Sequence, residues 1–245
     1  MNTALGRPFI ILSSVESTNN YAMAKLHAGM VVEGTCFQAV EQTAGKGQRG
    51  KSWFAAPGEN ITLSAITSPG SAKLRPFLLS AAVAIACHGF LSAYANKNIK
   101  IKWPNDIYIN DRKAGGILIE NLYQGHNWSW AVAGIGLNIN QTGFPDHLPN
   151  AISLKQVTGM EYNVLKLGKA LVSGIDKQLH WMNHSSEEEI MKTYNKLLYK
   201  KDVEVKLKKE NIVFTRFIKG VSPSGELIAQ GAMEERYQFG EVEWV

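Results

Sequence analysis

Between residues 41 and 53 the chain reads Glu-Gln-Thr-Ala-Gly-Lys-Gly-Gln-Arg-Gly-Lys-Ser-Trp, and no other stretch restricts the fold as strongly. Gly45 to Ser52 satisfies G-x-x-x-x-G-K-[ST], the triphosphate P-loop pattern. Gly45, Gly47 and Gly50 also satisfy the dinucleotide pattern G-x-G-x-x-G. Both patterns aim backbone N–H groups and a helix N-terminus at phosphate, so each needs a strand before the loop and a helix after it. The strand is there, in Thr35-Cys36-Phe37-Gln38-Ala39-Val40. The helix is not. Trp53-Phe54-Ala55-Ala56 leads into Pro57-Gly58, a strong turn signal, and Ile61 to Thr67 then alternates like a half-buried strand. No acidic residue stands near position 70 to hold a ribose. The loop therefore joins two strands, which excludes both nucleotide folds. It keeps the chemistry of anion binding in its three glycines and in Lys46, Arg49 and Lys51.

A chain of 245 residues predicts one large domain, or one large and one small. A net charge of +5 suits an anionic substrate or an acidic partner, but no basic stripe points to nucleic acid. There is no charged segment followed by an apolar one at the start, and no uninterrupted apolar stretch is read as long enough to cross a membrane. Cys36 and Cys87 stand in apolar contexts and read as buried thiols of a reducing, cytoplasmic compartment.

The spacing predicts a first strand near Phe9–Leu12. A helix capped by Ser17 or Thr18 should follow and end at Ala28-Gly29, and a long apolar helix should run from about Lys73 to Asn96. Ile99 to Trp103 alternates as a strand. Asn110-Asp111 turns a hairpin between Ile107–Ile109 and Lys113–Glu120, and a further strand runs from Trp128 into Gly134–Asn140. Helices are expected over Val164–Met182 and Glu187–Tyr199. Beyond residue 200 the pattern changes to short alternating segments with a Ser222-Pro223-Ser224-Gly225 turn. This predicts a small β-barrel over 200–245 beside a main domain over 1–199. No room is read for a helix-turn-helix before the first strand.

Four further segments carry chemistry. Lys102-Trp103-Pro104-Asn105-Asp106 puts a cation, an amide and a carboxylate at a strand end, where sites are commonly built, although Pro-Asn-Asp also suits an ordinary turn. Lys113 is followed by Gly115-Gly116, which would let a ligand approach the backbone or mark a bulge. Gly134-Ile135-Gly136-Leu137-Asn138 places an amide after two glycines. Ser17-Thr18-Asn19 either caps a helix or binds a polar ring.

In this order, the five segments resemble the biotin protein ligases. The resemblance covers most of the first 140 residues, and the last 45 look like that family's small SH3-like domain. The implied fold is α+β: a mixed, largely antiparallel sheet packed on helices, of the class II synthetase kind, plus a C-terminal SH3-like β-barrel. The implied activity has two half-reactions. Biotin and MgATP give biotinyl-5′-AMP and pyrophosphate, and the acyl group then passes to a lysine of a biotin carboxyl carrier domain. The resemblance puts Ser17, Thr18, Asn19, Gln42, Gly45, Lys46, Gly47, Gln48, Lys113 and Gly116 on biotin. It puts Arg49, Lys51, Trp53, Lys102, Asn105 and Asn138 on ATP. Lys113, Asp106 and Arg49 would be catalytic, with Asp106 either accepting a proton or orienting Mg²⁺. The family loop usually reads Gly-Arg-Gly-Arg-x-x-Arg, whereas Lys46, Gln48 and Lys51 stand here. Gln48 therefore loses a charge over the acyl-adenylate. The resemblance implies the form without a DNA-binding domain, no specific DNA, no membrane, and a monomer or homodimer.

A lipoate-type ligase and a non-enzymatic nucleotide or nucleic-acid-binding module remain as alternatives. His180 and His184 lack the Glu of a zinc-protease helix, so they are not read as metal ligands. Cys87-His88 reads as a satisfied pair within the apolar helix.

Overall fold

A computed structural model describes residues 4–68 and 75–245. Seven strands make one sheet: β1 (Phe9–Val15), β2 (Cys36–Gln42), β3 (Asn60–Thr67), β4 (Ile99–Lys102), β5 (Asp106–Ile109), β6 (Arg112–Gln124) and β7 (Asn127–Asn138). Their order is β1-β2-β3-β7-β6-β5-β4. β1 and β2 run parallel, and every other pairing is antiparallel. The helices are α1 (Thr18–His27), α2 (Pro76–Tyr94), α3 (Leu154–Thr158), α4 (Val164–Asn183) and α5 (Glu187–Lys196). A second, antiparallel sheet holds β8 (Glu204–Lys209), β9 (Ile212–Val221), β10 (Leu227–Gln230), β11 (Glu234–Tyr237) and β12 (Glu243–Trp244), in the order β11-β10-β9-β8-β12.

The strand period of two separates the faces of the main sheet. Ile61, Leu63 and Ala65 of β3 enter the larger core with α2 and α4, while Ile66 joins Ala22 of α1 and Phe37 on the other face. α1 starts where Ser17 Oγ accepts from Asn20 N, and the chain leaves it through Gly29 at φ +65°. α2 packs on α4, α5 and the strands β4 to β6. Its small run Ala81–Cys87 is buried all round, because it is enclosed between two layers. The predicted start at Lys73 lies outside the described residues.

Several boundaries differ from the sequence reading. α2 has 19 residues and a mean hydropathy of 1.7, which is long and apolar enough to cross a membrane. It is a core helix all the same, since 61% of its most apolar window is buried inside the fold. α5 stops at Lys196, three residues before Tyr199, because the chain then pairs with the edge strand β4. Ile101 N donates to Leu197 O at 2.9 Å, and Tyr199 N donates to Ile101 O at 2.8 Å. Covering an exposed edge in this way satisfies backbone groups that a longer helix would leave open. β7 ends at Asn138 rather than Asn140. α3 was not anticipated, although Ser153 and Gln156 form a capping box and Gly159 ends the helix at φ +72°.

The C-terminal sheet is open where a barrel was expected. β12 has two residues and pairs with β8, and among the described residues no pairing joins it to β11 at the other end of the sheet. The sheet is tied to the rest of the fold by Trp103 Nε1, which donates to Gly225 O at 2.9 Å. Asn195 adds a reciprocal pair with Val221: its Nδ2 donates to Val221 O at 3.0 Å, and its Oδ1 accepts from Val221 N at 2.8 Å.

Within α2, burial pushes the Cys87 thiol up to about 12. His88 Nε2 lies 3.1 Å from Ile99 O, and burial holds its imidazole below the ordinary histidine value of 6.5. The sign of the linkage follows. As pH falls through 6.5, the unfolded chain takes up a proton that folded His88 resists, so stability is lost until pH drops below the folded value. Urea midpoints measured from pH 8 to pH 5 should fall along this window, and more steeply in wild type than in His88→Gln. Equal slopes would show that His88 is not the group responsible.

Candidate active site

The site is built on missing side chains. Registration across β5, β6, β7 and β3 sets Asp106, Gly116, Gly136 and Thr62 in one row. Leu118, Gly134 and Ser64 make the adjacent row. Gly116, Gly134 and Gly136 therefore share the α1 face of the sheet, while Ile117, Ile135 and Leu137 fill the opposite core. The result is a trough in bare sheet. A Cβ at Gly134 would overlap the Asn19 carboxamide, and one at Gly136 would overlap the Trp53 indole. At Gly116 it would lie 3.3 Å from Trp53 Cζ3. Gly115 has a different task from the one expected of it. It faces the core, where a Cβ would overlap Leu137.

One end of the trough is a polar cluster at the start of α1. Thr18 donates twice to Gln42 Oε1, from N at 2.8 Å and from Oγ1 at 3.0 Å. Ser64 Oγ lies 2.7 Å from Thr18 Oγ1 and 2.6 Å from Asn19 Oδ1. Asn19 Nδ2 donates to Glu120 Oε2 at 2.8 Å and to Leu118 O at 3.2 Å. Each amide is thus held in a single orientation by buried or half-buried partners.

The loop after β2 folds back as a small hairpin over the trough. Gly47 N donates to Lys51 O at 2.7 Å, and Trp53 N donates to Gly45 O at 2.8 Å. Its tip is a turn over Gln48–Gly50 with Arg49 at φ +56° and Gly50 at φ +74°. Lys46 Nζ reaches back to Asn20 Oδ1 at 2.7 Å. Arg49 Nη1 donates to Gly240 O at 3.0 Å, and the guanidinium lies 5.7 Å from the Phe239 ring centroid. The loop is thereby latched to both α1 and the second sheet.

The far end is cationic. Lys113 Nζ stands 2.7 Å from Asp106 Oδ1 and 5.8 Å from the Trp53 ring centroid. Lys102 Nζ donates to Tyr108 Oη at 3.1 Å. Burial pulls Lys102 below the ordinary lysine value, opposed by the charge on Asp106, and pushes the Tyr108 phenol up to about 12. Asn105 Nδ2 donates to Ile117 O at 2.7 Å and fixes the turn that carries Asp106.

Together these groups line a cleft of about 760 Å³. It carries five cations (Lys46, Arg49, Lys51, Lys102 and Lys113) against two carboxylates, Asp106 and Glu243, so its field favours an anion. All the residues singled out from the sequence line it except Gly45 and Asn138. Gly45 lies behind the hairpin, where a Cβ would overlap the Trp53 carbonyl. Asn138, two residues beyond Gly136 and on the same face of β7, is buried at the edge of the trough. Its Nδ2 donates to Ile152 O at 3.1 Å and to Lys113 O at 3.4 Å, so it braces the Lys113 backbone.

The sequence reading missed Thr62 and Ser64, which look like ordinary strand residues. It also missed Phe239, Gly240, Val242, Glu243 and Trp244 of the second sheet, which line the cleft only through tertiary docking. Three buried polar atoms of lining residues have no partner among the described residues: Trp53 Nε1, Gln48 Oε1 and Trp244 Nε1. Buried polar groups are normally paired, so three orphans on one cleft point to a ligand. Elsewhere, His180 and His184 stack at 4.5 Å on an exposed helix end. Among the described residues no group of three His, Cys, Asp or Glu could hold a metal.

The family model described as biotin/lipoate A/B protein ligase matches residues 11–138, a little over half of the 245 residues. The chain belongs to this family. The bifunctional ligase/repressor BirA of Bacillus spizizenii is 35% identical over 158 residues, 63% of this chain and 48% of the relative. The biotin–[acetyl-CoA-carboxylase] ligase of Paracoccus denitrificans is 34% identical over 139 residues, 56% of this chain and 55% of that one. This family member thus spans about half the length of the curated relatives it matches. Its fold is that of the biotin protein ligase from Aquifex aeolicus solved with biotin and ATP. The TM-score is 0.82 over 97% of this chain and 98% of that one, at 24% identity.

The packing of the indole into the trough can be measured. Gly136→Ala should destabilise the fold by about 1–3 kcal/mol through overpacking. In a Trp53→Ala background the same substitution should cost much less. A double-mutant cycle with no coupling between the two positions would show that the indole does not lie on the trough floor.

Proposed function

We propose that the chain is an ATP-dependent biotin protein ligase, which activates biotin as biotinyl-5′-AMP and passes the acyl group to a lysine of a biotin carboxyl carrier domain. One observation carries the reading: a single trough holds a fixed polar cluster, an indole over bare backbone and a group of cations. An acyl-adenylate needs all three: partners for a polar ring, a flat face for the base, and positive charge for the phosphate that joins them. A ureido ring has one carbonyl and two N–H groups, and the cluster of Ser17, Thr18, Asn19 and Gln42 offers hydroxyl, amide and backbone partners for them. A dithiolane ring could use none of them, so lipoate is the poorer fit. The biotin relatives named above support the same choice.

In the first half-reaction a carboxylate oxygen of biotin attacks the α-phosphorus. A C–O–P linkage forms, the bond to the β-phosphate oxygen breaks, and pyrophosphate leaves. Two anions must meet, so the cations have to offset their repulsion and stabilise charge developing on phosphate. We assign Lys113 to the biotin carboxylate and α-phosphate, and Arg49, Lys51 and Lys102 to the phosphates. Trp53 would meet the adenine. Asn138 would meet the adenine too, since it shares the trough face of β7 with Gly134 and Gly136 while bracing the Lys113 backbone. In the second half-reaction the carrier's amine attacks the acyl carbon, an amide forms and AMP leaves. Asp106, beside Lys113, is our candidate to accept the amine proton.

The donor set fits Mg²⁺ only as an ion held mainly by the substrate's phosphates, since Asp106 and Glu243 are the sole carboxylates of the lining and Asp106 is paired with Lys113. Asp106 would hold it, and the ion would supply positive charge to offset that of the phosphates. We read residues 1–199 as the biotin and ATP domain and 200–245 as an SH3-like domain, supported by the tie of Tyr199 to β4 and the start of the second sheet at Glu204. The free, buried thiols of Cys36 and Cys87 suit a cytoplasmic setting. We assign no sequence-specific DNA binding, because the basic residues form no stripe along the sequence.

Biotin-dependent exchange of pyrophosphate into ATP tests the reading. Wild type should show it, and Lys113→Ala should lose on the order of a hundredfold or more in rate while remaining folded. Exchange driven by lipoate but not biotin would move the chain to the other branch of its family. Nucleotide binding with no exchange at all would favour a non-enzymatic module.

Gln48 supplies a second test. With a neutral amide where the resembled family carries a cation, wild type should release the adenylate faster than Gln48→Arg does. Dissociation rates of purified adenylate from both proteins decide it. Equal rates would mean that another group already compensates.

A further inference from the structure

We propose that Trp244, on the last strand of the second sheet, is a positioning residue for Lys102: its indole and the Tyr108 ring hold the lysine ammonium between them at the cationic end of the trough. The proposal deepens the reading of that end as a phosphate site and rests on it.

Lys102 ends β4, directly opposite Asp106. Its Nζ lies 4.8 Å from the Tyr108 ring centroid and 5.5 Å from that of Trp244, and donates to Tyr108 Oη at 3.1 Å. Tyr199 backs both rings, with its centroid 5.2 Å from that of Tyr108 and 6.1 Å from that of Trp244. The Tyr199 hydroxyl is fixed in turn by donating to Asp111 Oδ1 at 2.6 Å. Trp244 is set by the β12–β8 pairing, where it faces Leu207 and where Val245 N donates to Lys206 O at 3.1 Å.

The way this cation is held matters for what it can do. Among the described residues Lys102 has no ion-pair partner, because Asp106 is engaged by Lys113 at 2.7 Å. A carboxylate would fix the ammonium and cancel its charge. The neutral Tyr108 hydroxyl and the Trp244 ring fix it without a counter-charge and leave the full charge for an incoming anion. Burial already depresses the Lys102 pKa, as expected for an ammonium held with little water and no dedicated counter-ion. Trp244 Nε1 is itself buried without an acceptor, so the same corner offers a second unused donor. A flexible four-carbon stem would otherwise sample many positions, and the cage selects one before the ligand arrives.

The test is calorimetric titration of ATP into wild type, Trp244→Leu and Trp244→Phe, run beside pyrophosphate exchange kinetics. Trp244→Leu should weaken ATP binding roughly two- to thirtyfold, the range of one partly desolvated cation–π contact. KM for ATP should rise in step, with KM for biotin unchanged. Trp244→Phe keeps the ring face and should recover most of the loss. Trp244→Met reports the same comparison if the leucine variant does not fold. An unchanged ATP Kd in Trp244→Leu overturns the proposal, as does a Trp244→Phe variant as weak as Trp244→Leu, or a wild type that binds no ATP. A wild type that binds ATP without biotin-dependent exchange would sink the ligase reading, while the ATP affinities would still decide for or against the cage.

Discussion

Three side-chain-free positions on one face of β6 and β7 set the geometry that every other part of the site obeys. Gly116 and Gly136 are direct cross-strand partners, and Gly134 lies one row along. The strands on either side hold this floor in a continuous ladder, so its depth is fixed by backbone alone and cannot relax by a rotamer change. The same two strands send Ile117, Ile135 and Leu137 into the core. Alternation thus lets one pair of strands supply stability on one face and an empty groove on the other. Gly115 belongs to the first task, since it makes room for Leu137. A glycine pair that reads as one motif in sequence therefore serves two faces.

That division explains what could be read without coordinates. The loop at Gly45–Ser52 was correctly placed between strands because Pro57-Gly58 and the alternation of Ile61–Thr67 are local signals. The Asn110 turn was equally legible, since it takes φ +54°, which asparagine tolerates. The residues that line the cleft from Ser17 to Gly116 lie in segments with unusual local chemistry. Thr62 and Ser64 carry no such mark, because a hydroxyl on a strand is ordinary until its register beside Thr18 and Asn19 is known. Asn138 was legible by its place after two glycines, but its bond to Ile152 O, fourteen residues away, was not, because that pairing is made only in the folded chain. The small barrel was inferred from short strands and tight turns, but whether the two outer strand edges meet is set by tertiary placement, which local pattern does not report.

The charges of the cleft are arranged so that few of them neutralise one another. Lys113 is the one lining lysine that forms an ion pair among the described residues. Lys46 is held by an amide oxygen, Arg49 by a backbone carbonyl and a ring, and Lys102 by a phenol and two rings. Neutral anchors order long side chains without cancelling their field. Such preorganisation is what a site needs where charge must be stabilised as it develops. It also accounts for the excess of cations over carboxylates in the lining, which would be self-repulsive if these groups were mobile and near one another.

The second sheet enters this scheme as a structural necessity. About 45 residues bury too little apolar surface to be secure alone, so the sheet leans on Trp103 and Asn195 of the larger unit. The dependence runs both ways. Gly240 receives the tip of the basic loop, Phe239 lies under its guanidinium, and Trp244 faces Lys102. Removing the sheet would release Arg49 and take away one of the two residues that hold Lys102, while the polar end of the trough and the Lys113–Asp106 pair would stay in place. The polar end of the trough is therefore built by α1 and the first sheet, without the second. Recognition of the anion is shared across the interface, so any motion between the two sheets would act first on the charged half of the site.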